Sequence, residues 1–235
     1  MTTTTTTTDT RVETGVRNLD AVLSGGLPTG NIVILAGTPG SGKTLLSQQL
    51  IFNNATPQKR AVFFQTLSEP TAKTLRFLKQ FEIFKPAKLS DGSIEFIDLG
   101  DILRSKGLEQ AIELLMSHVK RIKPAFVVID SFKVFEDLAP TQSDLRKFSY
   151  EVAINLMAWE CTVLLLGEFT KAELESNPLF SIVDGIITLK IREAAGEQQR
   201  FMQVLKMRGT NHSRRVHAIF DEKPVKNYRI KAVRG

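Results

Sequence analysis

Gly37-Thr38-Pro39-Gly40-Ser41-Gly42-Lys43-Thr44 decides the fold of this chain, together with the apolar run Asn31–Ala36 (NIVILA) before it and the helical pattern of Gly42–Asn53 after it. The octet fits G-x-x-x-x-G-K-[ST] at every fixed position and stands between a predicted strand and a predicted helix, the context the pattern requires. A glycine-rich turn that merely joins strand to helix is the competing reading, and it leaves the lysine and threonine unexplained. In a phosphate-binding loop the glycines let successive backbone N–H groups turn inward around phosphate oxygens. The helix beginning near Gly42 adds the positive end of its dipole, and the Lys43 ammonium reaches the β- and γ-phosphates. Thr44 offers its hydroxyl to Mg²⁺, and Leu45 carries the loop into the helix.

The flanking sequence alternates short β-branched runs with helical periods. Strands are predicted at Arg60–Gln65, Ile94–Asp98, Ala125–Asp130 and Thr162–Gly167, and helices at Thr71–Phe81, 108–122 and Ser143–Trp159. Three further extended segments, near 185–191, 200–207 and 216–220, follow without helices between them and predict an antiparallel extension. Strands separated by helices of this length predict right-handed βαβ units on a mostly parallel sheet. The expected fold is therefore α/β, with a central sheet flanked by helices. Asp130 ends the apolar strand FVVID, where a carboxylate at the C-terminal edge orients the metal beside a phosphate loop. Without the loop, the same aspartate reads equally well as a turn or cap residue.

Length and composition narrow the class. The 235 residues are 42% apolar and 24% charged, ordinary globular usage, and they predict one domain over 11–235 after a disordered threonine-rich leader at 1–10. No apolar run approaches the roughly eighteen residues that span a bilayer, and MTTTTTTTDT has no secretory pattern, which points to a cytoplasmic protein without membrane partners. The lone Cys161 and three scattered histidines exclude a disulfide scaffold and a zinc module. The charge of +6 is uneven: residues 200–235 hold ten Lys/Arg against two Asp/Glu, whereas residues 1–199 hold twenty-one against twenty-three. Such a basic segment suits an anionic nucleotide, nucleic acid or plain solvation, and nucleic acid is not the favoured partner. Most of the fifteen phenylalanines follow strand and helix periods and are expected in the core.

From about Thr14 to Lys223 the chain resembles a KaiC-type domain of the RecA-like P-loop ATPases. The matching stretches are TGVRNLDAVLSGGLPTG, GTPGSGKTLLSQQ, VVIDS and VLKMRGTNHS. The resemblance implies ATP binding, slow hydrolysis and a hexameric ring with nucleotide held between neighbouring protomers, in a signalling or regulatory role with a protein partner. KaiC carries two such domains in tandem, and this chain has one. Lys206 and Arg208 of LKMRG match the pair that reaches the γ-phosphate bound by the adjacent protomer, a finger supplied in trans. Arg214 and Asp221 match positions near the neighbour's adenosine. Glu168, after the TVLLLG strand, matches a residue that senses the γ-phosphate. Ser181 matches a phosphorylated position, although a serine in a turn is commonly only a serine.

The chain departs from the family at the catalytic base. KaiC domains place two adjacent glutamates after the second strand, where FFQTLSEP has Leu67 and Ser68. Glu69 follows one residue later and is within reach of orienting the attacking water, or else caps the next helix with Pro70 in its first turn. Two other outcomes stay open: a nucleotide-gated oligomeric scaffold with negligible hydrolysis, and a RecA-like DNA-binding recombination or repair factor.

Overall fold

Successive strand residues point to opposite faces of a sheet, so a run that is apolar throughout is stable only where both faces are covered. Three such runs, Ile32–Gly37, Thr162–Gly167 and Phe126–Asp130, lie side by side near the middle of a nine-stranded sheet. A computed structural model describes residues 11–67, 71–139, 141–158, 161–177, 179–194, 197–222 and 227–232. The proposed leader at 1–10 lies outside these residues.

In chain order the elements are β1 (Arg11–Val12), α1 (Leu19–Val22), β2 (Leu27–Pro28), β3 (Ile32–Gly37), α2 (Lys43–Asn54), β4 (Ala61–Gln65), α3 (Thr71–Leu78) and α4 (Ala87–Ser90). Next come β5 (Ile94–Asp98), α5 (Gly100–Ser105), α6 (Leu108–Ile122), β6 (Phe126–Asp130), α7 (Lys133–Leu138), α8 (Gln142–Ala158) and β7 (Thr162–Gly167). The chain closes with α9 (Lys171–Ser176), α10 (Leu179–Ile182), β8 (Gly185–Ala194), β9 (Glu197–Met207), β10 (Val216–Glu222) and β11 (Asn227–Ala232). The sheet order is β11-β10-β9-β8-β3-β7-β6-β4-β5. All pairings from β8 to β5 are parallel, and those among β8, β9, β10 and β11 are antiparallel. The expected mixed sheet is borne out, with β11 as an additional strand beyond the three expected extended segments.

Period-two alternation sorts the core. Val33 and Leu35 face one layer with Leu46, Leu50 and Phe52 of α2 and Leu19 and Leu23 near the amino end. Ile32 and Ile34 face the other, with Leu115 and Val119 of α6, Phe135 of α7, Phe148 of α8 and Phe180 of α10. Ala111, Leu115, Val119 and Ile122 of α6 are buried at helical spacing, as its amphipathic period predicts. The helix predicted over Thr71–Phe81 stops at Leu78; Gln80 and Phe81 bond back to Phe77 and Leu78 in tighter turns. Phe63 and Phe64 are fully buried, but Phe77 is exposed, with Lys73 and Arg76 over its ring. At the far edge, β5 places Glu95 between Arg121 at 3.1 Å and Arg60 at 3.5 Å.

Candidate nucleotide site

The glycines of the phosphate loop are required by what surrounds them. A Cβ at Gly37 would collide with the Leu189 carbonyl of β8, and one at Gly42 with the Tyr228 hydroxyl of β11. Gly40 and Gly42 also have φ of +74° and +99°, a region L side chains avoid. Gly42 caps α2 without a side-chain hydrogen bond, so the amide donors of the first turn face the loop rather than a capping residue. Ser41 Oγ is buried with no hydrogen-bond partner, an unfilled polar position inside the cradle. Gly42→Ala is expected to lower the thermal midpoint and weaken nucleotide binding together, because strain and the Tyr228 collision act on one peptide; a melt with and without nucleotide checks it.

The phosphate loop, Asp130 and Glu168 converge. Thr44 Oγ1 donates to Asp130 Oδ2 at 2.6 Å, although β7 separates β3 from β6 in the sheet. A hydroxyl and a carboxylate brought together in this way are a donor set that fits Mg²⁺, which Thr44 and Asp130 would hold. Thr66 ties the end of β4 to this point: its N–H donates to the Asp130 carbonyl at 2.9 Å and its Oγ1 accepts from the Ser131 N–H at 2.9 Å. Lys43 Nζ donates to the Gly37 carbonyl at 2.8 Å and the Thr38 carbonyl at 3.0 Å. Burial pushes the Lys43 ammonium below the ordinary lysine range, opposed by the charges of Glu168 and Asp130. Glu168, just beyond β7, is therefore brought to Lys43 by the inserted strand.

A charged brace stands behind these strand ends. Lys133 Nζ of α7 donates to Glu173 Oε1 of α9 at 2.6 Å and to Glu136 Oε2 at 3.2 Å, and Asn177 Nδ2 donates to Glu136 Oε1 at 2.7 Å. Glu173 also completes a capping box with Thr170. The hydrogen bond from Lys133 and those from Thr170 hold the Glu173 carboxyl down at about 2. Its folded value lies below its unfolded one, so this stability is fully present above the ordinary carboxylate range and is lost as pH falls toward 2. Glu173→Gln is expected to cost about 1 kcal/mol or less at pH 6, since the pair is partly exposed, and the difference from the parent should shrink by pH 3.5 in denaturant titrations.

The carried-over cations stand apart from this centre. Lys206 Nζ donates to the carbonyls of Val183 at 2.6 Å, Phe180 at 3.1 Å and Ser181 at 3.4 Å. Arg208 donates to the Ser181 carbonyl at 2.9 Å and, at 3.2 Å, to the Ile182 carbonyl and Asp184 Oδ1. Lys206 lines a cavity of about 680 Å³ that Ala36, Gly37 and Thr38 also line. Arg214 is exposed in the loop before β10, where its carbonyl accepts from Gln203 Nε2 at 3.2 Å. The backbone of Asp221 in β10 pairs with that of Tyr228 in β11, and its side chain lies outside the described residues. Ser181 is exposed, and Glu69 falls outside the described residues.

Two residues at the loop escaped sequence reasoning. Arg200 Nε of β9 donates to the Gly40 carbonyl at 3.2 Å, and Tyr228 backs Gly42 while its N–H donates to Gln49 Oε1 of α2 at 3.0 Å. Both belong to the basic carboxyl-terminal segment, where charge gave the only signal and said nothing of position.

Phosphate loop, inserted strand and strand-end aspartate together define a RecA-like P-loop nucleotide-binding protein. Residues 12–223 match the family described as ATPase: KaiC, and the chain belongs to that family. It is 29% identical over 226 residues to a UPF0273 protein of Thermotoga maritima, covering 88% of this chain and 90% of that one. A UPF0273 protein of Pyrococcus horikoshii is 30% identical over 222 residues, 88% of this chain and 89% of the relative. The circadian clock oscillator protein KaiC of Prochlorococcus marinus is 28% identical over 224 residues, 91% of this chain but 43% of that protein. The crystal structure of a KaiC-like protein from Pyrococcus horikoshii superposes with a TM-score of 0.81 at 24% identity, covering 94% of this chain and 99% of that one, which establishes the shared fold. Among the described residues no helix is long and apolar enough to cross a membrane.

Proposed function

We propose that the chain is a slow, ring-forming regulatory ATPase that binds Mg-ATP between neighbouring copies, six in the ring as the family resemblance implies. The observation that carries the reading is the 2.6 Å contact between Thr44 and Asp130 at a loop whose Ser41 hydroxyl is buried without a partner. The loop amides and Lys43 hold the phosphates. Thr44 and Asp130 would hold Mg²⁺, which would supply charge neutralisation for the phosphates. Glu69 orients the attacking water and Glu168 reports on the γ-phosphate. Lys206 and Arg208 complete the site of the adjacent copy, and Arg214 and Asp221 lie toward that copy's adenosine.

The arrangement of cations supports completion in trans: Lys206 is engaged with carbonyls of residues 180–183 and Arg208 with those of Ser181 and Ile182 and with Asp184, rather than with their own phosphate loop. Steady-state hydrolysis at rising protein concentration, with parent and Glu69→Gln, tests the reading. Turnover per subunit should rise as copies associate, and Glu69→Gln should lower it by about a hundredfold or more while still binding ATP. Full turnover in a dilute monomer would sink completion in trans. Binding without hydrolysis in both proteins would make the chain a nucleotide-gated scaffold, and steeply salt-dependent binding of single-stranded DNA would favour a recombination role.

A further inference from the structure

Arg11 stands one residue before the segment that matches the family, yet its guanidinium joins two distant stretches of chain, residues 23–26 and 209–210. Nη1 donates to the carbonyls of Leu23 and Gly26 at 3.2 Å each and to Thr210 Oγ1 at 3.0 Å, and Nη2 donates to the Gly209 carbonyl at 3.0 Å. Gly209 and Thr210 open the loop from β9 to β10, immediately after Lys206 and Arg208. Further along the same loop, Ser24 Oγ donates to the Asn211 carbonyl at 2.5 Å and the Ser213 N–H donates to the Val22 carbonyl at 2.9 Å. The amino-terminal turn thus grips the backbone of the loop at three successive places.

Two guanidiniums act on opposite sides of Gly209, whose φ of +66° turns the chain between them. Arg208 lies toward residues 181–184 and Arg11 toward residues 23–26. When the Arg208 side chain exchanges its carbonyls for a phosphate, the backbone at 209–210 stays pinned by Arg11, so the cation swings from a fixed base rather than from a loose loop. We propose that Arg11 is a positioning residue for the Lys206–Arg208 finger, acting on the neighbouring copy's reaction through Gly209 and Thr210; this rests on the trans-finger reading above. A planar five-donor fork is suited to this task, and a lysine, with one ammonium point, cannot span the same four acceptors.

The experiment compares kcat and KM for Mg-ATP in Arg11→Ala, Arg11→Lys and the double variant Lys206→Ala/Arg208→Ala, each alone and mixed with excess Asp130→Asn subunits. Those subunits keep an intact finger and phosphate loop but lack the metal carboxylate. Arg11→Ala and Arg11→Lys should lower kcat by about tenfold or more, with KM within about threefold, because the finger acts on the transferred phosphoryl group and contributes little to ground-state binding. Asp130→Asn subunits should restore most of that turnover by presenting a well-placed finger to the intact sites of the Arg11 variants. Parent-like kcat in Arg11→Ala, or a loss that mixing does not restore, overturns the proposal. If the finger double variant falls while Arg11→Ala does not, Arg11 alone is wrongly assigned; if the double variant keeps full turnover, the trans finger itself fails and this role with it. Should Arg11→Ala not fold, Thr210→Val, which removes one of the four bonds, carries the test: a fall in kcat reversed by mixing supports the role, and unchanged kcat overturns it.

Discussion

Lys43→Ala is expected to abolish ATP binding at micromolar nucleotide, with the fold intact by circular dichroism. The Lys43 side chain is largely buried, its pKa lowered by desolvation and partly restored by the charges of Glu168 and Asp130, so its removal leaves those two carboxylates facing the phosphates without a compensating charge. Removing one partner of a buried, hydrogen-bonded charge pair costs about 2–5 kcal/mol, some thirtyfold to several thousandfold in Kd. A fluorescent ATP analogue titrated against parent and variant measures this, and a Kd within threefold of the parent would show that the loop does not hold the triphosphate. The parent should also resist thermal unfolding better as nucleotide is added, while the variant should not.

The second large effect concerns Lys206→Ala/Arg208→Ala. A cation supplied across an interface to a transferred phosphoryl group contributes on the order of 10³ or more to turnover, and little to ground-state binding. The double variant should therefore bind nucleotide normally and hydrolyse it at least about a hundredfold more slowly. Mixed in equal amounts with Asp130→Asn, itself inactive, it should regain measurable turnover, because some interfaces pair an intact metal site with an intact finger. Two inactive proteins that stay inactive together would place both cations in a purely structural role, holding the carbonyls of residues 180–183.

The parallel half of the sheet was legible because β3, β6 and β7 are nearly unbroken apolar runs, β4 and β5 are short β-prone stretches bounded by turn residues, and the phosphate loop anchors the order of strand, loop and helix. Asp130 and Thr44 could be paired on that basis. The strand between them could not, since β7 enters between β3 and β6 by a topology that no local spacing records. Helices α7, α9 and α10 are shorter than the window in which a 3.6-residue period shows itself. Strand β11 was hidden by charge: Asn227–Ala232 reads as solvated and basic, yet Tyr228 and Ile230 alternate inward, and Tyr228 backs Gly42 of the loop. Arg11 was invisible for a related reason. Its partners are mostly backbone carbonyls far away in the chain, and a carbonyl has no letter in a sequence.

The outer strand β5 has a bearing on solubility. An edge strand offers unpaired amides and carbonyls to any extended chain, and Ile94-Glu95-Phe96-Ile97-Asp98 would be an adhesive template if its polar positions were apolar. Glu95, held between Arg60 and Arg121, and the exposed Asp98 place charge on that border. Two carboxylates on five residues thus keep the sheet from growing past its ninth strand, and a variant lacking both should be recovered chiefly as aggregate even though its interior is unaltered.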